Sequence, residues 1–342
     1  MSKIFITGGT GCIGAATVFK LLTVYGDQVE QLRIASRSSN TEQLEIWLGD
    51  KLRDYVSEEK ISFVKVDIGD KSALRDALRE FAPTHLIHLG ALQSPDCAAY
   101  PEKGVAVNLT GTMTLFQTVA ELEQPLERFV FASSGAVYGK RSMYPGDTVA
   151  ESVQLAPPNL YGVWKVAGEH LAALFHEQTN IPTVSLRLNT TYGPGRDQGT
   201  TSAPTTVMKS LAIGASQGKT IASRMPYKGR ENYHYVEDVG AHFAGACMLP
   251  FSGCEAFNIK GRTIEVTEFL DTIKAVSEEL GISDFLDTGV APAATPNLFI
   301  CDLDDSLIEQ EFPGLPRTDI KEGVRKTLAK FVEMAPLGKI KT

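Results

Sequence analysis

The sequence predicts an α/β protein, a doubly wound parallel sheet followed by a smaller C-terminal lobe. Three observations carry this. Short apolar runs alternate with helical patterns through the first 188 residues, the rhythm of a parallel sheet with helices on both faces. The first run ends in a glycine cluster, "TGGTGCIG", at residues 7–14. After residue 188 the alternation gives way to "GPGRDQGTTSAPT", residues 193–205, which reads as a loop.

The elements follow in order. "KIFIT" at 3–7 is a strand, and Ile13, Val18, Leu21 and Leu22 mark the helix after it. Strands are expected at 31–35, 61–66, 85–89, 127–132 and 182–188. Helices are expected between them, at about 41–56, 72–81, 102–122 and 160–178. Further helices are expected near 204–215, 238–248, 266–280 and 320–334. No internal repeat or low-complexity segment is visible. The expected division is a sheet domain over 1–188, with a returning segment near 230–258. A covering lobe would be built from 189–229 and 259–342.

Composition narrows the class. A formal charge of −8 on 342 residues argues against a nucleic-acid binder, which needs a clustered basic surface. No apolar run approaches the ~20 residues that span a bilayer, and "MSKIFITGG" enters a strand directly, without a signal-peptide layout. Cys12, Cys97, Cys247, Cys254 and Cys301 are scattered, odd in number and form no CxxC pair. They read as free thiols of a cytoplasmic protein. No metal-ligand spacing is present. Asp302, Asp304 and Asp305 read as helix-capping or solvated side chains.

In such sheets ligands bind beyond the carboxyl ends of the strands. Gly9, Gly11 and Gly14 satisfy GxGxxG, and Gly8, Gly11 and Gly14 are spaced by three. The loop follows a strand and opens a helix. Glycines let backbone approach a pyrophosphate, and the helix N-terminus offers free N–H groups. This predicts a Rossmann-type dinucleotide site. At the end of the second strand an acid would bond the ribose of NAD, whereas an arginine suits the 2′-phosphate of NADP. "IASRSSN" places Ser36 at the acid position and Arg37 next to it. NADP is therefore favoured over NAD, with Arg37 as a charge-assisted contact.

In "NLYGVWKVAGEH" Tyr161 and Lys165 lie four apart on one helical face. A tyrosine has a pKa of about 10, and a neighbouring ammonium favours its phenolate. Lowering that pKa by about 3 units needs roughly 4 kcal/mol. Upstream, "SSGAVYG" at 133–139 follows an apolar strand, so its hydroxyls stand where ligands bind.

These segments together resemble the extended short-chain dehydrogenase/reductases grouped as NAD-dependent epimerase/dehydratases. "TGGTGCIG" resembles their TGxxGxxG, with Cys12 and Ile13 inside it. "VDIGD" resembles the adenine-side DxxD, with Asp67 and Ile68 at the matching positions. "HLGA", containing Leu89, Gly90 and Ala91, resembles the segment beside the nicotinamide ribose. "NLTGT" resembles NxxGT, with Asn108 as its structural and proton-relay asparagine. "SSGAVYG" resembles the catalytic serine segment, and "YGVWK" is the YxxxK. "RLNTTYGPG" and "YHYVEDV" resemble two later segments, and "FPGLPRTDIKEGVRKTL" resembles the C-terminal one.

The resemblance implies that Tyr161 is the acid/base for a substrate hydroxyl or carbonyl. Lys165 would lower its pKa and hold the nicotinamide ribose, and Ser134 would bond the reacting oxygen. A homodimer and a polar, sugar-like substrate are also implied. Three departures narrow the activity. Gly135 and Ala136 stand where dehydratases carry Asp-Glu, which argues against dehydration. Thr190 stands where the family has an asparagine near the nucleotide-sugar diphosphate, although Asn189 is adjacent. Glu231 and Tyr235 replace an arginine and a histidine, with Arg230 one residue away. A glutamate facing a diphosphate would repel it.

Candidate substrate contacts are Gln93, Ser94, Ser134, Thr190, Arg196 and His234. His234 reads equally as packed, Arg196 also as an exposed loop side chain, and His88 as packed. The expected function is NAD(P)-dependent hydride transfer at a secondary alcohol or ketone. The alternatives are a sugar or nucleotide-sugar epimerase with a retained cofactor, and a non-catalytic cofactor sensor.

Overall fold

The computed structural model describes residues 1–296 and 300–341, with Thr200 described by its backbone only. Six strands arise in sequence: β1 (Ser2–Thr7), β2 (Val29–Ser36), β3 (Ile61–Lys65), β4 (His85–His88), β5 (Arg128–Ala132) and β6 (Thr183–Arg187). Five more are β7 (Thr190–Tyr192), β8 (Ser223–Lys228), β9 (Arg230–Tyr235), β10 (Cys254–Asn258) and β11 (Arg262–Glu265), and the last strand is β12 (Thr288–Pro296).

The large sheet has seven strands in the order β10-β6-β5-β4-β1-β2-β3, every pair parallel. Alternation along β1 shows why helices cover both faces. Ile4 and Ile6 pack with Val18, Leu21 and Phe243 on one side. Phe5, between them, packs with Leu78, Phe81 and Leu86 on the other. All three are fully buried, as a doubly covered parallel sheet requires. The chain leaves β1 to one side and β4 to the other. This switch point is where such sheets bind ligands.

Two helices differ from expectation. The segment 41–56 is two helices, Glu42–Leu48 and Lys51–Ser57, because Gly49 takes φ +54° and ends the first. The segment 102–122 is a short helix Pro101–Gly104, a π-helical stretch Val105–Gly111 and an α-helix Thr112–Ala120.

The second lobe contains two small sheets, β11-β9-β7 and β12-β8, none of whose strands is among those expected from the sequence. Residues 230–235 belong there, so the return to the large sheet consists of the helix Val236–Met248 and β10. The lobe has its own core around Tyr192, Phe269 and Phe331. Tyr233 stacks on Phe269 at 4.3 Å between ring centroids, a geometry that adds to simple burial. Among the described residues all five cysteines are free thiols, and no helix is long and apolar enough to cross a membrane.

Candidate active site

Because the strands are parallel, their carboxyl ends open on one edge. There a cleft of about 1090 Å³ is bounded by the segments that follow β1 to β6 and by the second lobe. Gly8, Gly11, Cys12, Ile13 and Gly14 line it after β1. The first helix, Cys12–Val24, starts here with Gly11 as its N-cap and no side-chain cap. Its first-turn N–H groups therefore remain donors toward the cleft. A Cβ on Gly14 would sit 2.4 Å from the Gly8 carbonyl, so only glycine permits this turn. Uncapped amides under a side-chain-free loop form a cradle that fits a pyrophosphate.

Ser36 and Arg37 line the cleft after β2, Asp67 and Ile68 after β3, and Leu89, Gly90 and Ala91 after β4. Ser36 donates to the carbonyl of Ser38. Arg37 is exposed. Asp67 accepts from Gly69 N–H at 2.9 Å, which shapes the turn.

Ser134, Tyr161 and Lys165 meet at the far end. Asn159 caps the helix Leu160–Thr179 by accepting from Gly162 N–H at 2.9 Å. A Cβ on Gly162 would lie 2.1 Å from the Ala136 carbonyl. Glycine thus brings the start of the helix onto the Ser134 segment. The Ser134 hydroxyl accepts from Ala136 N–H at 3.1 Å and lies near the Tyr161 phenol, whose ionised form it favours. Lys165 is buried and donates to the Ala132 carbonyl at 2.6 Å. Its Nζ lies 5.5 Å from the centre of the Tyr161 ring.

The electrostatics differ from expectation. Burial pushes the Tyr161 phenol up to about 12, against the pull of the nearby Ser134 hydroxyl and of the Arg196 charge. Burial also pulls Lys165 down to about 8, opposed by Cys97 and Glu169. The expected lowering by Lys165 does not dominate, because both groups share one desolvated pocket.

A buried network lies behind the pair. Glu169, one turn after Lys165, forms a bidentate ion pair with Arg187 at 2.8 and 2.7 Å and accepts from Ser133. Arg187 also donates to Tyr138 at 2.8 Å.

Gln93, Ser94 and Arg196 line the substrate side of the cleft. Three expected site residues do not line it. Asn108 is buried in the π-helical stretch, where its amide clamps Leu92, accepting from the N–H at 2.7 Å and donating to the carbonyl at 2.9 Å. It is a positioning residue for the segment after β4, not a group at the reacting atoms. Thr190 is fully buried in β7, where pairing with Tyr233 of β9 fixes its orientation. Its hydroxyl lies near the Glu231 carboxyl and favours the charged form of that group. His234 is also buried, with Nδ1 3.1 Å from the Lys260 carbonyl. Burial lowers its pKa to about 4. Glu231 itself is fully buried, and burial raises its carboxyl to about 7. It does not face the cleft, so it repels no ligand there.

Asn189 and Thr191 occupy the cleft wall in place of Thr190. Their signal was adjacency in "RLNTTYGPG". Asn189 donates to the Ile300 carbonyl at 2.7 Å. A Cβ on Gly135 would fall 1.8 Å from Asn189 Oδ1. The place of a dehydratase aspartate is thus filled by this amide. His88 is packed, as expected, between Thr7 and Thr112 hydroxyls at 2.7 and 3.0 Å. No cluster of metal-binding side chains occurs among the described residues. Asp304 caps Ser306, and Asp302 and Asp305 pair with Arg141 and Arg317.

The family model described as NAD dependent epimerase/dehydratase family matches residues 4–259. The chain belongs to this family. It is an enzyme, with relatives that are dehydratases and epimerases. It is 24% identical to dTDP-glucose 4,6-dehydratase of Neisseria gonorrhoeae over 97% of this chain and 96% of that one. Among solved structures, UDP-glucose 4-epimerase of Thermus thermophilus in complex with NAD superposes with a TM-score of 0.73 at 25% identity. That match covers 96% of this chain and 98% of the other. L-threonine dehydrogenase of Clostridium difficile gives 0.76 at 24% identity, covering 98% and 99%, and shares the fold.

Proposed function

We propose that this family member is a dehydrogenase/reductase acting on a secondary alcohol or ketone of a small, polar, sugar-like substrate. The observation that carries it is the convergence of Ser134, Tyr161 and Lys165 at one end of a cleft whose other end is the glycine cradle. A bound nicotinamide dinucleotide would accept the hydrogen of the carbinol C–H bond with its electron pair. The protein's residues handle the proton and the geometry. Tyr161 takes the hydroxyl proton as the carbonyl forms and returns it in reduction. Ser134 bonds the reacting oxygen, and Lys165, fixed by Ala132, holds the ribose beside Tyr161.

Two features support redox chemistry over dehydration: Gly135 and Ala136 carry no acid or base, and Asn189 fills the space above Gly135. Epimerisation is the second reading, favoured by relatives such as the UDP-glucose 4-epimerase, whose crystals contain NAD. A screen of sugars, sugar acids and nucleotide sugars separates the two. Net formation of reduced nicotinamide marks a dehydrogenase, whereas product without net turnover marks an epimerase and overturns the proposal.

The cofactor proposed is NADP in preference to NAD, supported by Arg37 at the cleft edge and by a serine where an acid would repel phosphate. A hydrogen bond to a charged group contributes about 1.5–3 kcal/mol, so the preference is expected at roughly 10- to 150-fold. Ser36→Asp with Arg37→Ser should reverse the ratio of dissociation constants. Equal wild-type affinity for both cofactors would reject the assignment. A homodimer is also proposed, supported by exposed apolar side chains on two adjoining helices, Met113 on one and Leu160, Val163 and Leu174 on the other. Sedimentation as a monomer at micromolar concentration would reject it.

A further inference from the structure

The substrate half of the cleft contains one cation without a carboxylate among the described residues. Arg196 follows β7 in the Gly/Thr loop and lines the cleft. Its guanidinium donates to Thr201 Oγ1 at 2.7 Å and to Gln93 Oε1 at 3.4 Å. Both acceptors are neutral, and its Nε has no acceptor. The adjacent acid is committed elsewhere: Asp197 pairs with Lys209 and accepts from Gln43 at 3.1 Å. No ion pair of Arg196 occurs among the described residues. The other cations of the cleft stand apart from this half. Arg37 is at the β2 end, and Lys165 is tied to the Ala132 carbonyl.

A half-buried guanidinium held only by neutral groups keeps its charge available to an anion. One cation compensates one charge, which suits a compact monoanion over a diphosphate. The walls beside it, Gln93, Ser94, Asn189 and Thr191, are uncharged hydrogen-bonding side chains suited to hydroxyls. Arg196 and Tyr161 line the same cleft, and the guanidinium charge favours the phenolate of Tyr161.

We infer that the substrate is a short hydroxylated carboxylic acid whose carboxylate is held by Arg196 while its carbinol faces Tyr161. This rests on the hydride-transfer reading above and specifies its substrate class. The oxidant is the oxidised dinucleotide. The carbinol C–H pair passes to it, the O–H proton passes to Tyr161, and the carboxylate is unchanged.

The experiment compares matched acids and neutral polyols, glycerate with glycerol and gluconate with sorbitol, in turnover assays with NADP and NAD. Calorimetry measures the binding of the same compounds to the enzyme saturated with reduced cofactor. Loss of a charge-assisted contact corresponds to roughly 10- to 150-fold, so acids should exceed polyols by that factor in affinity and in kcat/KM. Arg196→Gln should abolish the difference and leave the cofactor Kd unchanged. Polyols binding as well as acids, or carboxylate binding absent or equal in wild type and variant, would overturn the inference. So would a variant whose cofactor affinity falls as far as its carboxylate affinity, because the guanidinium would then serve the pyrophosphate. The two readings fail separately. Arg196-dependent binding of acids with no formation of reduced nicotinamide from any of them would sink hydride transfer alone.

Discussion

Tyr161→Phe is expected to lower turnover by about 10²–10⁴-fold, the usual contribution of a positioned acid/base. The change keeps the ring over which Lys165 sits and removes only the proton-bearing oxygen near Ser134. Cofactor affinity should survive, because the glycine cradle and Lys165 are untouched. The pH profile supplies an independent check. With Tyr161 held near 12 by burial, the phenolate is scarce at neutral pH unless cations gather beside it. Lys165, near 8, is charged below that pH and loses its charge above it. The oxidation rate should therefore rise with pH toward a limb set by the coupled pair, and the variant should lack that limb. Near-normal turnover in the variant would remove Tyr161 from the mechanism.

The second large effect is expected at Glu169. Its carboxylate is only 9% exposed and its partner Arg187 only 5%. Glu169→Ala leaves the guanidinium with Tyr138 and the Glu151 carbonyl as its remaining acceptors, at 2.8 and 3.0 Å. Removing one member of a buried ion pair typically costs about 3–5 kcal/mol, because the other charge stays desolvated. The unfolding midpoint should fall accordingly, and the conservative Glu169→Gln should recover part of it. The carboxylate also favours the charged form of Lys165. Its removal should lower the Lys165 pKa further and move the alkaline edge of cofactor binding to lower pH. A loss below about 1 kcal/mol would place the pair in the class of weak, solvated bridges.

Those two residues illustrate different degrees of legibility. Tyr161 and Lys165 are four apart, and helical geometry alone puts them on one face. The contribution of Glu169, on a helix, depends on Arg187 at the end of β6, and no spacing in the sequence announces that meeting. The same division holds for the cofactor cradle. Gly8, Gly11 and Gly14 are close in sequence, and the turn they allow is local. Asn189 and Thr190 show the opposite case. Both are polar, adjacent and plausible, and the family pattern points to Thr190.

The sequence by itself determined the first six strands of the parallel sheet and the main helices alternating with them, the glycine turn and the Tyr161–Lys165 face, because each is written in local periodicity or short spacing. The tertiary structure alone decided which polar residues of the second lobe meet the cleft. β7 has three residues, too few for a periodic signal. Its orientation is set by pairing with β9, far along the chain, with Thr190 opposite Tyr233 and Thr191 opposite His234. A shift of one residue in such a strand exchanges its faces. That pairing turns Thr190 to the face of Tyr233 and Glu231, leaves Asn189 and Thr191 on the cleft wall, and delivers the loop that presents Arg196.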